Sequence, residues 1–220
     1  MTPLPTVSSD PGTPFAGLHA SPPGTLSFAP TLHIRAFLLE RERGNLLIYG
    51  SPSLAPGDAL RSVSRVYVNH WHETALGPAA SDSGAPLFVH AADRAAVARH
   101  RPVRAAFSRR HTVDDDFEAI PTPGHTAGAT AYLWDSGEHR FLFTGDTIYL
   151  RDGEWVAAVL DSSDREAYVA SLGLIRELDF DVLVPWAASV QQPFSAMTDG
   201  RDTRRRIDAI LRRIRHGGDH

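Results

Sequence analysis

Three strand-like stretches of this chain each run into a turn that carries a side chain able to bind a metal. The turns hold His70 and His72 in VNHWHETALG, His125 in PTPGHTAGAT and Asp146 in FLFTGDTIYL. A fold that uses them together must deliver several strand ends to one place. His70 and His72 stand at i and i+2, so a continuing strand would point both to the same face. Just past a strand end, both rings can turn toward one ion. Three imidazoles and a carboxylate make a compact site for a divalent metal. Zinc accepts neutral imidazole nitrogen at ~2.0–2.1 Å and carboxylate oxygen at ~2.0–2.2 Å.

The rest of the sequence limits how such an ion could be held. There is no cysteine, so disulfides, thiolate ligands and cysteine nucleophiles are excluded. Nitrogen and oxygen must supply every ligand. All 22 cationic side chains are Arg, and the net charge of -4 gives no overall attraction for nucleic acid. The basic run RDTRRRIDAILRRIR carries Ile207, Ile210, Leu211 and Ile214 at helical spacing. It is expected to pack on the body with Arg outward, so nucleic acid is not the expected partner. The N-terminus has neither a basic n-region nor a continuous apolar h-region. No apolar run is long enough to span a bilayer, so no membrane is expected and the cytoplasm is the expected compartment.

At 220 residues the chain suits one domain with a sizeable core. Residues 1–24 are rich in Pro, Ser, Thr and Gly and read as an irregular arm; 25–220 form the body. TLSF, HIRAFLLE and NLLIYG read as strands, the last apolar enough for burial on both faces. SVSRVYVNH and PLFVH are further strands, and AADRAAVARH is a helix candidate. ATAYLW and HRFLFTGD form a hairpin around DSGE. Asp164 can cap a helix running to about Leu178, followed by the strand DVLVP. A last helix is expected over about 202–215. The acidic run Asp114, Asp115 and Asp116 reads as a solvated turn, because consecutive carboxylates point in different directions.

TPGHTAG followed by FTGDT, with His-x-His upstream, resembles the metallo-β-lactamase superfamily over about residues 25–190. SLGLIRELDFDVLVP is similar to the helix and strand before that family's last ligand. The resemblance implies an α/β (α+β) fold, a four-layer αββα sandwich of two mixed sheets with helices outside. It matches His70, His72 and His125 to the first metal site, and Asp146 to the carboxylate that bridges two metals.

The departures lie at the second site. The family's His-x-His-x-Asp-His reads here His70-Trp71-His72-Glu73-Thr74-Ala75. Its terminal Pro-Gly-His reads Pro185-Trp186-Ala187, and Tyr49 replaces its early Asp. The expectation is therefore one divalent metal, zinc first, with iron or manganese also suited to the ligands. The expected activity is hydrolysis of a small ester, thioester or related acyl substrate, with Asp146 as ligand or base. The competing expectation is a metal-poor binding or interaction protein on the same fold. Glu73 is either a substitute carboxylate in the substrate pocket or an exposed loop acid. Trp71 and Trp186 either wall the pocket mouth or pack in the core.

Overall fold

The computed structural model describes residues 15–54, 58–76 and 83–218. Most of the expected arm lies outside these residues. Its end is partly strand: β1 (Leu18–Ala20) and β2 (Gly24–Leu26) precede the longer β3 (Ala29–Ile34). β4 (Phe37–Leu39) and β5 (Asn45–Ile48) follow, then the single turn α1 (Asp58–Arg61) and β6 (Val63–Tyr67). Next come α2 (His72–Ala75), β7 (Leu87–His90) and α3 (Arg94–Val97). A run of strands comes after: β8 (Ala105–Phe107), β9 (His111–Val113), β10 (Phe117–Pro121), β11 (Thr130–Asp135) and β12 (Arg140–Gly145). The chain continues through β13 (Tyr149–Arg151), β14 (Glu154–Val156), α4 (Arg165–Arg176) and β15 (Val182–Pro185). It closes with β16 (Ala187–Ser189), β17 (Ala196–Met197) and α5 (Gly200–Arg215).

Two six-stranded sheets form the centre, in the orders β1-β4-β5-β6-β7-β8 and β17-β15-β12-β11-β10-β9. Both are mixed: β5, β6, β7 and β8 pair in parallel, as do β12 and β15, and the other pairs are antiparallel. A third, five-stranded sheet, β14-β13-β16-β3-β2, adds to the two expected from sequence.

Strand alternation explains the layers. Successive side chains point to opposite faces, so a strand with apolar residues on both faces must be covered twice. Leu46 and Ile48 of β5 enter a core shared with Phe141 and Phe143 of β12, while Leu47 enters another with Val66 and Val97. In the second sheet Leu142 and Leu183 face away from the shared core, onto Leu172 and Ile175 of α4 and Ile207, Ile210 and Leu211 of α5. The result is the αββα sandwich.

The helices follow local chemistry. Asp164 caps α4 by accepting from Ala167 N, and Asp199 caps α5 by accepting from Arg201 N and Asp202 N. α5 starts slightly before the expected residue and buries Ile207, Ile210, Leu211 and Ile214. The AADRAAVARH segment yields only the single turn of α3. Asp114 and Asp116 are not simply solvated. They grip the Arg41 guanidinium, whose side chain is 1% exposed, with Arg41 Nε donating to Asp116 Oδ2 at 2.7 Å. A buried cation needs such partners, and the acidic turn supplies them. Among the described residues no helix is long and apolar enough to cross a membrane.

Candidate metal site

The turn after β6 is anchored before it presents its histidines. Tyr132 Oη donates to Val68 O at 2.7 Å, and Thr130 N donates to Asn69 O at 3.0 Å. Both anchors sit on β11, in the facing sheet. Asn69 then fixes His70. Its amide nitrogen donates to the carbonyls of Thr130 and Thr144, so its oxygen is left facing His70 Nδ1 at 3.0 Å. His70 Nδ1 therefore carries the proton, and Nε2 keeps its lone pair. That Nε2 is fully buried and has no hydrogen-bond partner.

His125 is set the same way from another strand end. Its Nδ1 donates to Ala158 O at 2.6 Å, which leaves Nε2 as the free base. His125 Nε2 stands 3.1 Å from His72 Nδ1. Two lone pairs at this distance would repel, so the contact calls for a proton on one of the nitrogens or a cation between them. Asp146 completes the group, with Oδ2 at 3.5 Å from His70 Nε2 and 3.6 Å from His125 Nε2. The β12–β15 register shifts between Phe143 and Gly145, immediately before Asp146, and such irregularities re-aim a side chain. Tyr168 Oη lies 2.9 Å from Asp146 O and 2.8 Å from Thr147 O, and holds this turn from α4.

The four sequence-expected residues thus converge. Ligand atoms of His70, His72 and His125 all lie within 4.8 Å of one another. Ligands bonded at ~2.0–2.1 Å to one tetrahedral ion stand roughly 3.3 Å apart. The observed contacts of 3.1, 3.5 and 3.6 Å bracket that spacing. An orphaned, buried Nε2 and two tautomers fixed with lone pairs inward fit a divalent metal, and the nitrogen-and-oxygen donor set suits several first-row ions.

Burial sets the protonation of these rings. Desolvation lowers His70 to about 3, with Asp146 opposing and His125 adding to the shift. Desolvation also lowers His72 to about 3, reinforced by His70 and His125. Both rings are neutral at pH 7, as ligands must be. A stability consequence follows for His70, which is 0% exposed. Below pH 6.5 the unfolded chain protonates this imidazole, but folded His70 stays neutral until about pH 3. Its contribution to stability is therefore lost as pH falls from 6.5 toward 3, by up to ~1.4 kcal/mol per pH unit. Urea unfolding of metal-free protein at pH 7 and pH 5 should show wild type losing more stability than His70→Gln. Equal losses would contradict it.

Two expected pocket residues are buried behind the site rather than open to a pocket. Glu73 is not an exposed loop acid: it is 2% exposed and faces the backbone. Its Oε2 accepts from Gly50 N at 2.9 Å, and its Oε1 accepts from Asn69 N at 2.8 Å and His70 N at 3.3 Å. Burial pushes its carboxyl up to about 8, while the three N–H donors pull it back. Trp186 is 2% exposed, packs at 5.5 Å from the His70 ring and donates from Nε1 to Gly50 O. Its role here is packing, not an open wall. Trp71 is partly exposed, with its ring 4.1 Å from that of His72.

At the second-site positions no free ligand atom stands. Thr74 Oγ1 donates to Trp71 O at 2.7 Å, and Ala75 and Ala187 offer only methyl groups. Tyr49 Oη donates to Val184 O and accepts from Gly145 N. Asn69 and Asp93 are not singled out by the sequence motifs. Asn69 directly precedes His70, and that adjacency is the available signal.

The sequence model of the family described as the metallo-beta-lactamase superfamily matches residues 57–187, more than half of the chain. The chain belongs to the metallo-β-lactamase superfamily. Solved structures of this superfamily share its fold at low identity. An archaeal metallo-β-lactamase superfamily protein from Sulfolobus tokodaii is 17% identical, with a TM-score of 0.63 over 90% of this chain and 87% of that one. A metallo-β-lactamase family protein from Thermus thermophilus is 15% identical, with a TM-score of 0.63 over 92% and 80%. A B3 metallo-β-lactamase described as having an active-site glutamic acid is 15% identical, with a TM-score of 0.62 over 89% of each chain. A search of curated proteins returns no match. In this superfamily member His70 follows β6 and His125 follows β10, whereas His72 opens the single turn α2.

Proposed function

We propose that this protein is a metal-dependent hydrolase of a small ester, thioester or related acyl substrate, using one divalent metal, zinc in first place. His70, His72 and His125 are its metal ligands, and Asp146 is the outer ligand or base. The observation that carries this reading is the convergence of the ligand atoms of His70, His72 and His125 to within 4.8 Å of one another, with Asp146 Oδ2 3.5 Å from His70 Nε2 and 3.6 Å from His125 Nε2. The absence of a free donor at Tyr49, Thr74, Ala75 and Ala187 supports one metal rather than two.

When bound, zinc supplies Lewis acidity to a carbonyl oxygen and lowers the pKa of water to ~7. The protein's own groups do the rest. Asn69 and Ala158 O hold two imidazoles with their lone pairs inward. Asp146, with a side chain 17% exposed, is open enough to meet water and can orient it and take its proton at Oδ2. The Trp186 indole packs against the buried His70 ring and closes that side of the site. A small-molecule partner suits this enclosure. Nucleic acid is not proposed, because the basic helix α5 spends its inner face on the core and Arg213 on Trp155 O.

Elemental analysis of untagged protein tests the reading, and one tightly held divalent metal per chain is expected. Asp146→Asn should then lower turnover of simple esters or thioesters by roughly 10²–10⁴-fold, with a smaller loss of metal, because the amide keeps an oxygen but is a poor base. Two firmly bound metals would overturn the one-metal assignment. No metal uptake and no hydrolysis would favour the binding role on an inherited fold, the reading to which the lost second-site ligands point.

A further inference from the structure

The turn of His70 and His72 and the turn of His125 belong to different sheets, yet His72 and His125 meet at 3.1 Å. One side chain on a third segment touches both turns. Asp93 Oδ2 accepts from Trp71 N at 3.0 Å and from Thr126 Oγ1 at 2.8 Å, and its Oδ1 accepts from Gly128 N at 2.9 Å. Trp71 lies between the two upstream histidines, and Thr126 directly follows His125. We propose that Asp93 is a positioning residue that locks the two histidine-bearing turns together at coordination spacing. This inference rests on the metal-site reading above, and assigns that site a residue outside its ligand set.

Three observations separate this role from an ordinary one. Asp93 occupies the N-cap position of α3, where an aspartate would normally accept from the first helical N–H groups. It makes no such side-chain bond, so its carboxylate serves the turns instead. It is also 3% exposed, too enclosed for a surface acid. Finally, Gly128 makes room for it. A Cβ at residue 128 would lie 2.5 Å from Asp93 Cγ, closer than real Cβ contacts come. The glycine in His-Thr-Ala-Gly is thus explained by the approach of this carboxylate. Both oxygens and both turns are engaged, so moving Asp93 would let the His72–His125 gap drift.

Outer groups that orient metal ligands typically change affinity by about 10–100-fold when lost. Zinc affinity, measured by competition with a chromogenic chelator, is expected to fall by that factor in Asp93→Asn. The absorption spectrum of the cobalt-loaded protein should change in shape, reporting altered ligand geometry. Gly128→Ala, which displaces Asp93 without removing it, should give the same spectral change. Ile210→Val, a core change in α5, serves as the stability control and should leave the spectrum alone. In metal-free protein, amide-exchange protection of Trp71 and Gly128 should fall together in Asp93→Ala, which removes both acceptor oxygens. The amides of Gly50 and Asn69, held by Glu73, should keep theirs.

Unchanged zinc affinity and cobalt spectrum in Asp93→Asn, with wild type binding metal, would overturn the proposal. So would retained protection at Trp71 and Gly128 in Asp93→Ala. If wild type takes up no metal at all, the proposed function fails, and the exchange measurement alone decides whether Asp93 couples the turns.

Discussion

His125→Ala should emerge from gel filtration without the divalent metal that wild type retains, and hydrolytic activity should disappear with it. The magnitude follows from geometry. His125 Nε2 is 3.1 Å from His72 Nδ1, and it also faces Asp146 Oδ2. Its removal leaves two imidazoles and one carboxylate, and it deletes the ring tied to Ala158 O. Losing even an outer orienting group costs about 10–100-fold in affinity, so losing a ligand should cost more than 100-fold. Folding should survive better than binding. The stripped protein loses only two hydrogen bonds, to Ala158 O and to His72, and a long contact with Asp146 at 3.6 Å. Metal content and the thermal midpoint of the stripped protein are the two measurements. Full metal retention in His125→Ala would remove this histidine from the ligand set.

Much of this site is legible in the sequence because its ligands sit where strand patterns stop. The apolar runs in RFLF and NLLI specify strands covered on both faces, but periodicity does not select the sandwich, which is what the resemblance of the TPGHTAG and FTGDT motifs implies. The convergence of His70, His72, His125 and Asp146 comes from motif spacing. The support around them is less legible. Asp93 looks like a helix cap in AADRAAV, and nothing local says that its carboxylate crosses to residues 71, 126 and 128. Glu73 reads as a surface acid because the three N–H donors that hold it come from a turn and from Gly50, more than twenty residues upstream. Trp186 looks like a pocket wall, but its indole is drawn into the core beside His70 by the Gly50 carbonyl. These differences share one cause. A polar side chain's partner can lie on a distant strand end, and local periodicity carries no information about it.

Gly145→Ala should be among the most damaging single-methyl additions in this protein. Gly145 has φ +57°, a left-handed conformation that costs a non-glycine residue roughly 1–2 kcal/mol. Space adds a second cost. A Cβ there would fall 2.0 Å from Asn69 Cγ, and Asn69 is 0% exposed, with its amide bonded to Thr130 O and Thr144 O. Asn69 cannot swing away without breaking those bonds, and overpacking of this kind typically costs about 1–3 kcal/mol more. Gly137→Ala separates the two terms. Gly137 has φ +87° but nothing within 4 Å of its Cβ position, so only the backbone cost applies. Urea unfolding should therefore show Gly145→Ala losing clearly more stability than Gly137→Ala. The site should respond as well. Displacing Asn69 takes the acceptor from His70 Nδ1 and shifts the residue before Asp146, so metal retention should fall in Gly145→Ala and stay at the wild-type level in Gly137→Ala. Equal stability losses in the two variants would show that the contact between Gly145 and Asn69 relaxes freely, and that Asn69 does not hold the His70 ring against the end of β12.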